Sequence, residues 1–208
     1  MATIPSTVFV VVEDLSARQR LASLIRAAGW QPRIFGSVSA CITSEAIASG
    51  CLLVDLAELN LDAFRREDRI GVAQIGLPVV LIADCADAPT IVRVMKAGAF
   101  DFLIGAFDEG LLIGTLRKAI EHSAVTLSRE LEIRALRERH SSLSGRERQV
   151  MALVVRGLPN KQVGGNLGIS EITVKAHRGR VMKKMKANSL AGLVTIAARL
   201  DTSSQPSF

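Results

Sequence analysis

The sequence predicts a doubly wound parallel α/β sheet followed by an all-α domain of four short helices. Short apolar runs alternate with amphipathic stretches over residues 1–120, and the pattern is purely helical from Leu143 onward. The charge also changes: residues 1–120 hold 11 Lys and Arg against 13 Asp and Glu, whereas residues 121–208 hold 15 against 7. A chain of 208 residues suits two such domains. The basic second part indicates a polyanionic partner, with a solvated basic face as the alternative.

Five apolar runs predict the strands of the sheet. They span residues 7–12, 32–35, 51–55, 78–83 and 100–104. The stretches between them predict helices, the first with Ser16 as its N-cap and Gly29 at its end. Strands that alternate with helices form a parallel sheet, in which functional residues collect at the carboxyl ends of the strands.

Residues 110–140 have a helix-forming and increasingly charged sequence. Leu127, Leu131 and Leu136 recur there at broadly helical spacing. We predict the last helix of the first domain, running on into a linker; a short dimerising coiled coil is the alternative. The predicted parts are residues 1–122, a helical linker over 123–142, and residues 143–208.

Turn signals at residues 157–160, 167–170 and 186–189 divide the second domain into four helices. The middle two are joined by a tight turn that holds Gly168 and Ile169. Because a serine at position 170 can cap the following helix, this segment has the pattern of a helix-turn-helix.

The helix predicted after this turn has one apolar face. On a helical wheel Val174, Val181 and Met185 form a narrow stripe, which predicts the side facing the core. The opposite side combines small and basic residues with Ile172 at its flank, so bases can be approached closely while cations reach phosphates. We predict DNA contacts from Thr173, Lys175, Ala176, His177, Arg178, Gly179, Arg180, Lys183 and Lys184. A solvated amphipathic helix is the alternative.

Residues 143–194 resemble the DNA-binding domain of FixJ-type regulators in the LuxR/NarL family, through "LSGRE", "GLPNK", "TVKAHR" and "VMKKM". The resemblance implies that residues 171–185 enter the major groove of double-stranded DNA and that about residues 189–200 make a dimer contact. The latter helix is apolar over most of its circumference. We therefore expect a homodimer on two half-sites. Its predicted contacts in this helix are Leu190, Leu193 and Val194.

Two glycines depart from that family's pattern. Gly164 and Gly165 lie inside the first helix of the predicted motif, where each costs about 0.5 to 1 kcal/mol relative to alanine. This predicts a helix that is marginally stable until DNA or a partner holds it.

Residues 5–122 resemble the flavodoxin-like receiver domain of response regulators, most closely through "PTIVRVMKAGAFDFL" at 89–103. A receiver holds a phosphoryl group on an aspartate with Mg²⁺ bound by carboxylates, a lysine and a Ser or Thr hydroxyl. By resemblance the phosphoacceptor position is Asp55. The remaining positions of the pocket are degenerate: Val12 and Glu13, or Glu13 and Asp14, for the acidic pair; Ala83, followed by Asp84, for the hydroxyl; and Gly105 for the lysine.

These departures predict a pseudo-receiver that works without phosphorylation at Asp55. Carboxylates without a lysine repel an added phosphate, because like charges a few ångströms apart disfavour full ionisation. Two alternatives remain: Asp55 caps the following loop, or the domain is an unorthodox but working phospho-switch. Arg93, Lys96 and Phe102 lie in the segment that resembles the dimer or output face of receivers. The domain is therefore expected to bind a second copy of itself, a partner protein or histidine kinase, a small ligand, or a cation.

The predicted function is a cytoplasmic, DNA-binding transcriptional regulator. A protein-interaction adaptor is the alternative, but residues 143–200 hold 11 Lys and Arg against 2 Asp and Glu, which favours DNA. The sequence shows no Gly-rich nucleotide loop, metal-ligand cluster or nucleophile with a base, so no enzyme, metal or cofactor is expected.

The cysteine and N-terminal patterns indicate the compartment. Cys41, Cys51 and Cys85 have no metal-ligand spacing, which predicts buried thiols in a reducing cytosol. The apolar run of residues 8–12 is too short for a signal peptide or a membrane span, so no membrane partner is expected.

Overall fold

The computed structural model describes residues 6–42, 50–59, 76–106 and 108–202. The chain divides into two compact units, Met1–Leu127 and Ser128–Phe208. Within the described ranges, no helix combines the length and the apolar character that crossing a membrane requires.

The first unit is built on a five-stranded parallel sheet in the order β2-β1-β3-β4-β5. Its strands are β1 (Thr7–Val11), β2 (Gln31–Phe35), β3 (Gly50–Asp55), β4 (Val79–Ala83) and β5 (Asp101–Ile104). Its helices are α1 (Leu15–Ala27), α2 (Val38–Ile42), a 3₁₀ turn (Leu56–Glu58), α3 (Ala88–Lys96) and α4 (Glu109–Ser141), which is shared with the second unit. All five predicted strands are confirmed to within one residue at each end.

The sheet is buried on both faces, which explains why its strands are continuous apolar runs. Successive residues of β3 point to opposite sides. Leu53 joins a core cluster with residues of α1 and α4, whereas Leu52 and Val54 join another with Val94 of α3.

Two local predictions in this unit are wrong. The N-cap of α1 is Asp14, not Ser16, because the carboxylate accepts the Ala17 N–H at 2.6 Å while the Ser16 hydroxyl only donates to that carboxylate. Cys85 is exposed, since it lies in the loop between β4 and α3. Cys41 and Cys51 are buried as predicted, and burial raises the pKa of Cys51 to about 12.

The second unit contains the end of α4 and four helices. These are α5 (Gly145–Val155), α6 (Asn160–Leu167), α7 (Glu171–Met185) and α8 (Leu190–Thr202). The predicted turn is present: Gly168 ends α6 in the left-handed conformation, and Ser170 caps α7 by accepting the Thr173 N–H at 3.1 Å. The predicted core stripe of Val174, Val181 and Met185 is confirmed, since all three are buried in one cluster.

The two glycines of α6 have different surroundings. A Cβ atom on Gly164 would lie 2.7 Å from the carbonyl oxygen of Ile169, whereas one on Gly165 would meet no atom within 4 Å. Gly164 is also buried, and its carbonyl accepts the Ile169 N–H at 3.0 Å. The close approach of the turn therefore requires glycine at position 164 but not at 165. The marginal stability of α6 stays a prediction.

Candidate DNA interface and receiver-like cleft

The outward face of α7 presents most of the residues predicted to contact DNA. Seven of the predicted residues are exposed: Thr173, Lys175, Ala176, Gly179, Arg180, Lys183 and Lys184. Lys175 makes only an exposed ion pair with Glu171 one turn earlier, at 3.5 Å. Such a pair is weak and easily exchanged for a phosphate. This side of the helix therefore offers small residues and available cations together.

Lys184 has a partner inside its own domain. Its ammonium donates to the carboxylate of Glu147 at 2.6 Å and to the carbonyl oxygen of Ser142 at 3.1 Å. Glu147 is 4% exposed and also accepts the Ser144 N–H at 2.8 Å. The hydrogen bond from Lys184, helped by that of Ser144, lowers the pKa of Glu147 from its ordinary 4.5 to about 2. Lys184 therefore fixes α7 against α5, and its contact with DNA stays a prediction.

His177 and Arg178 are partly buried on the inner edge of α7. Arg178 donates from Nη1 to Oδ1 of Asn160 at 3.1 Å, which joins α7 to the first residue of α6. Nδ1 of His177 is buried, and no hydrogen-bond partner reaches it from the described residues. The hydrogen bond of Arg178 thus links the two helices of the motif.

The structure changes the predicted dimer face of α8. Leu193 is fully buried in the core of its own unit, so the prediction that it lies at an interface is wrong. Leu190 and Val194 are 37% and 40% exposed. A helix that is apolar on most sides covers its own core with one side and leaves the others free.

The predicted face on α3 and β5 is also only partly outward. Lys96 is exposed, but Phe102 is half-buried against the core cluster under α3. The guanidinium of Arg93 donates to the Thr90 hydroxyl at 3.0 Å. The exposed apolar side chains of this region are instead Val92 at 51%, Met95 at 41% and Ile104 at 44%.

A cleft of about 850 Å³ opens at the carboxyl ends of the strands in the first unit. Six of the predicted pocket positions line it: Val12, Asp14, Asp55, Ala83, Asp84 and Gly105. Glu13 is exposed and is not one of the lining residues. Apolar side chains of Leu21, Leu24, Ile82 and Leu112 complete the wall.

Two carboxylates of this cleft, Asp14 and Asp55, are engaged in local caps. Asp14 caps α1, and the hydrogen bond from Ser16, with that of Ala17, lowers its pKa. Asp55 accepts the Ala57 N–H at 3.0 Å and caps the 3₁₀ turn, as the capping alternative predicted. No three His, Cys, Asp or Glu side chains in the described part of the chain are grouped as metal ligands. Asp14 and Asp55 would thus offer Mg²⁺ carboxylates that already accept cap hydrogen bonds.

The backbone at Gly105 also differs from what a lysine needs. Its φ angle is +69°, in the left-handed region that side chains other than glycine rarely adopt. Its N–H donates to the Ala83 carbonyl at 2.8 Å, which holds the turn after β5 in place. The position therefore lacks both the cation and the backbone conformation suited to one.

Two charged residues of the cleft were not predicted, Arg20 and Glu109. The signal for Arg20 is helical spacing, because Ser16, Ala17, Arg20, Leu21 and Leu24 recur at intervals of one turn and all line the cleft. Arg20 is exposed, and its charge contributes to the lowered pKa of Asp14. The cleft is acidic with one arginine at its wall.

Comparison with known proteins agrees with both units. Residues 141–197 match the model of the bacterial regulatory proteins of the luxR family. Nodulation protein W of Bradyrhizobium diazoefficiens is 36% identical over 203 residues, covering 97% of this chain and 89% of that protein. The transcriptional regulatory protein FixJ of Rhizobium meliloti is 34% identical over 192 residues, covering 92% and 94%.

Two solved structures are similar over nearly the whole chain. The response regulator StyR superposes with a TM-score of 0.78 at 36% identity, covering 94% of this chain and 100% of StyR. Full-length FixJ from B. japonicum gives a TM-score of 0.53 at 30% identity, covering 96% and 99%.

Proposed function

This chain belongs to the FixJ-type transcriptional response regulators with a LuxR-family DNA-binding domain, and from that premise we propose how its two units work. In our proposal α7 reads the major groove of double-stranded DNA as part of a homodimer. The receiver-like unit regulates this binding without phosphorylation at Asp55. Binding of a second copy, a partner protein, or a ligand in the cleft replaces the phosphate as the input.

The conformation of Gly105 carries the proposal for the receiver-like unit. A receiver offsets the phosphoryl charge with a lysine at this position. Here the residue is a glycine in the left-handed region, where any other residue costs about 1 to 2 kcal/mol. Asp55 at the phosphoacceptor position and Asp14 at a candidate position of the acidic pair already accept backbone N–H groups as caps. A phosphoryl group on Asp55 would add negative charge to a cleft that Asp84 also lines.

The outward side of α7 supports the DNA-reading role. Lys175, Arg180 and Lys183 supply cations for phosphates or guanine edges, while Ala176 and Gly179 leave room for the helix to approach the bases. Leu190 and Val194 of α8 are the exposed apolar residues that we assign to the dimer contact. In the receiver-like unit we assign the interaction surface to Val92, Met95 and Lys96 of α3.

An experiment on the intact chain tests the mode of regulation. The protein is incubated with acetyl phosphate and Mg²⁺, then measured by intact-mass spectrometry, gel filtration and DNA binding, with Asp55→Asn as the matched control. We expect no phosphoryl adduct, and the same elution volume and DNA affinity with and without the phosphodonor.

One observation favours a second candidate, an unorthodox switch that is still phosphorylated at Asp55. Arg20 lines the cleft, and in this candidate its guanidinium pairs with the phosphoryl group in place of the missing lysine. A stable adduct that is absent from Asp55→Asn, is lost in Arg20→Ala and is accompanied by altered DNA binding would establish this candidate and overturn ours.

A further inference from the structure

One apolar side chain in the first turn of α7 is left almost uncovered. Ile172 is 80% exposed, more than any other large hydrophobic residue in the described ranges. It is the second residue of the helix and follows the N-cap Ser170 and Glu171. A single exposed apolar residue is not unusual by itself, so its surroundings decide what covers it.

The surroundings of Ile172 suit a nucleic acid. Helical spacing places Ile172, Ala176 and Gly179 in one row along the helix, and all three are exposed. The exposed cations Lys175 and Arg180 border this row. A row of small and apolar groups between cations complements a groove whose walls are phosphates and whose floor carries base edges.

The major groove offers an apolar partner at one kind of base. Thymine is the base that presents a methyl group there, on C5, whereas the other base edges present hydrogen-bonding groups. Residues at the N-terminal end of a recognition helix are the ones that contact base edges. An isoleucine in the first turn has no hydrogen-bonding group to offer, so the methyl group is its matching target.

We propose that Ile172 determines specificity by packing against the C5 methyl group of a thymine in the operator. This inference rests on the proposed DNA-reading role of α7 and adds to it the base that this side chain selects. Lys175 and Arg180 supply charge at the same face, but discrimination at this one base pair comes from apolar contact.

The test removes that methyl group alone. The full chain first selects its preferred site from a library of random duplexes. Each thymine of the selected site is then replaced in turn by deoxyuridine, which lacks the methyl group. We expect one replacement to weaken wild-type binding about four-fold, which corresponds to the transfer of one methyl group at about 0.8 kcal/mol. Ile172→Ala should bind the thymine and deoxyuridine duplexes equally, and Ile172→Val should keep part of the difference.

The outcomes separate this inference from the function on which it rests. If both proteins prefer the selected site but no deoxyuridine replacement distinguishes wild type from Ile172→Ala, this inference fails and the role of α7 stands. If Ile172→Ala instead weakens self-association and leaves the methyl dependence unchanged, Ile172 contacts a second copy and the inference is overturned. If the wild-type protein selects no sequence at all, both this inference and the DNA-reading role of α7 fail.

Discussion

The ammonium of Lys184 lies 2.6 Å from a carboxylate oxygen of Glu147, and this ion pair fixes α7 to the first turn of α5. Glu147 is buried while Lys184 is partly exposed. We expect Lys184→Ala to lower the melting temperature, because it leaves a buried carboxylate without its cation. Lys183→Ala is the matched control, because Lys183 is the exposed residue that precedes Lys184 in the same helix. Thermal denaturation followed by circular dichroism compares the two, and equal melting temperatures would contradict the structural role.

The same pair makes stability depend on acid. Glu147 has a pKa of about 2 in the folded protein against an ordinary 4.5, so its contribution is complete above pH 4.5 and is lost as the pH falls toward 2. The melting temperature of wild type should exceed that of Glu147→Gln at neutral pH, and the difference should shrink over that interval.

The control for this pH dependence is Glu138→Gln. Glu138 pairs with Arg134 on the solvent side of α4, with both side chains more than two-thirds exposed. Such a pair contributes little. The Glu138→Gln curve should therefore follow wild type, and a gap between wild type and Glu147→Gln that stays constant down to pH 2 would refute the assignment.

The helices and strands of this fold could be predicted because local sequence patterns determine them. Buried parallel strands are continuous apolar runs, and β3 and β4 therefore matched their predicted spans to within one residue. The start of α7 followed from Gly168 and Ser170, the end of one helix and the cap of the next, joined by a short turn.

The parts that could not be predicted depend on which of two similar groups makes a contact. Asp14 and Ser16 are both good caps, and only their geometry shows that the carboxylate is used. Lys184 and Lys183 are adjacent in sequence, yet the first faces Glu147. Leu193 belongs to a helix that is apolar on most sides, so its sequence does not tell which side covers the core.

Alanine at the two glycines of α6 should have opposite effects. Gly165→Ala should raise the free energy of unfolding by about 0.5 to 1 kcal/mol, because the site is open and alanine has the higher helix propensity. Gly164→Ala should lower it by about 1 to 3 kcal/mol, because the new Cβ would press on the Ile169 carbonyl. Urea denaturation of the two variants provides the measurement. A destabilised Gly165→Ala would show that α6 is limited by something other than propensity.

Restoring a lysine at the receiver position should not restore a receiver. Gly105→Lys should destabilise the first unit by about 1 to 2 kcal/mol, because a side chain is forced into the left-handed conformation. Ala106→Lys is the control, since it puts the same charge at the next cleft-lining residue without a positive φ. Denaturant titration compares their stabilities, and acetyl phosphate labelling should detect no adduct on either. Phosphorylation of Gly105→Lys at Asp55 would show that the missing lysine alone inactivates the cleft.

Removing a cation from the outward face of α7 should weaken DNA binding in one of two distinguishable ways. A side chain that reads a base should cost about 1 to 3 kcal/mol on the preferred site and relax specificity at one position. A side chain that contacts a phosphate should weaken binding to all duplexes and reduce the salt slope by about one. We expect Lys175→Ala to behave in the first way, since it lies in the first half of α7 beside Ala176, and Arg180→Ala in the second. Binding isotherms at several salt concentrations, on the selected site and on a scrambled duplex, separate the two cases. Wild-type affinity and salt slope in both variants would mean that this face of α7 does not meet DNA.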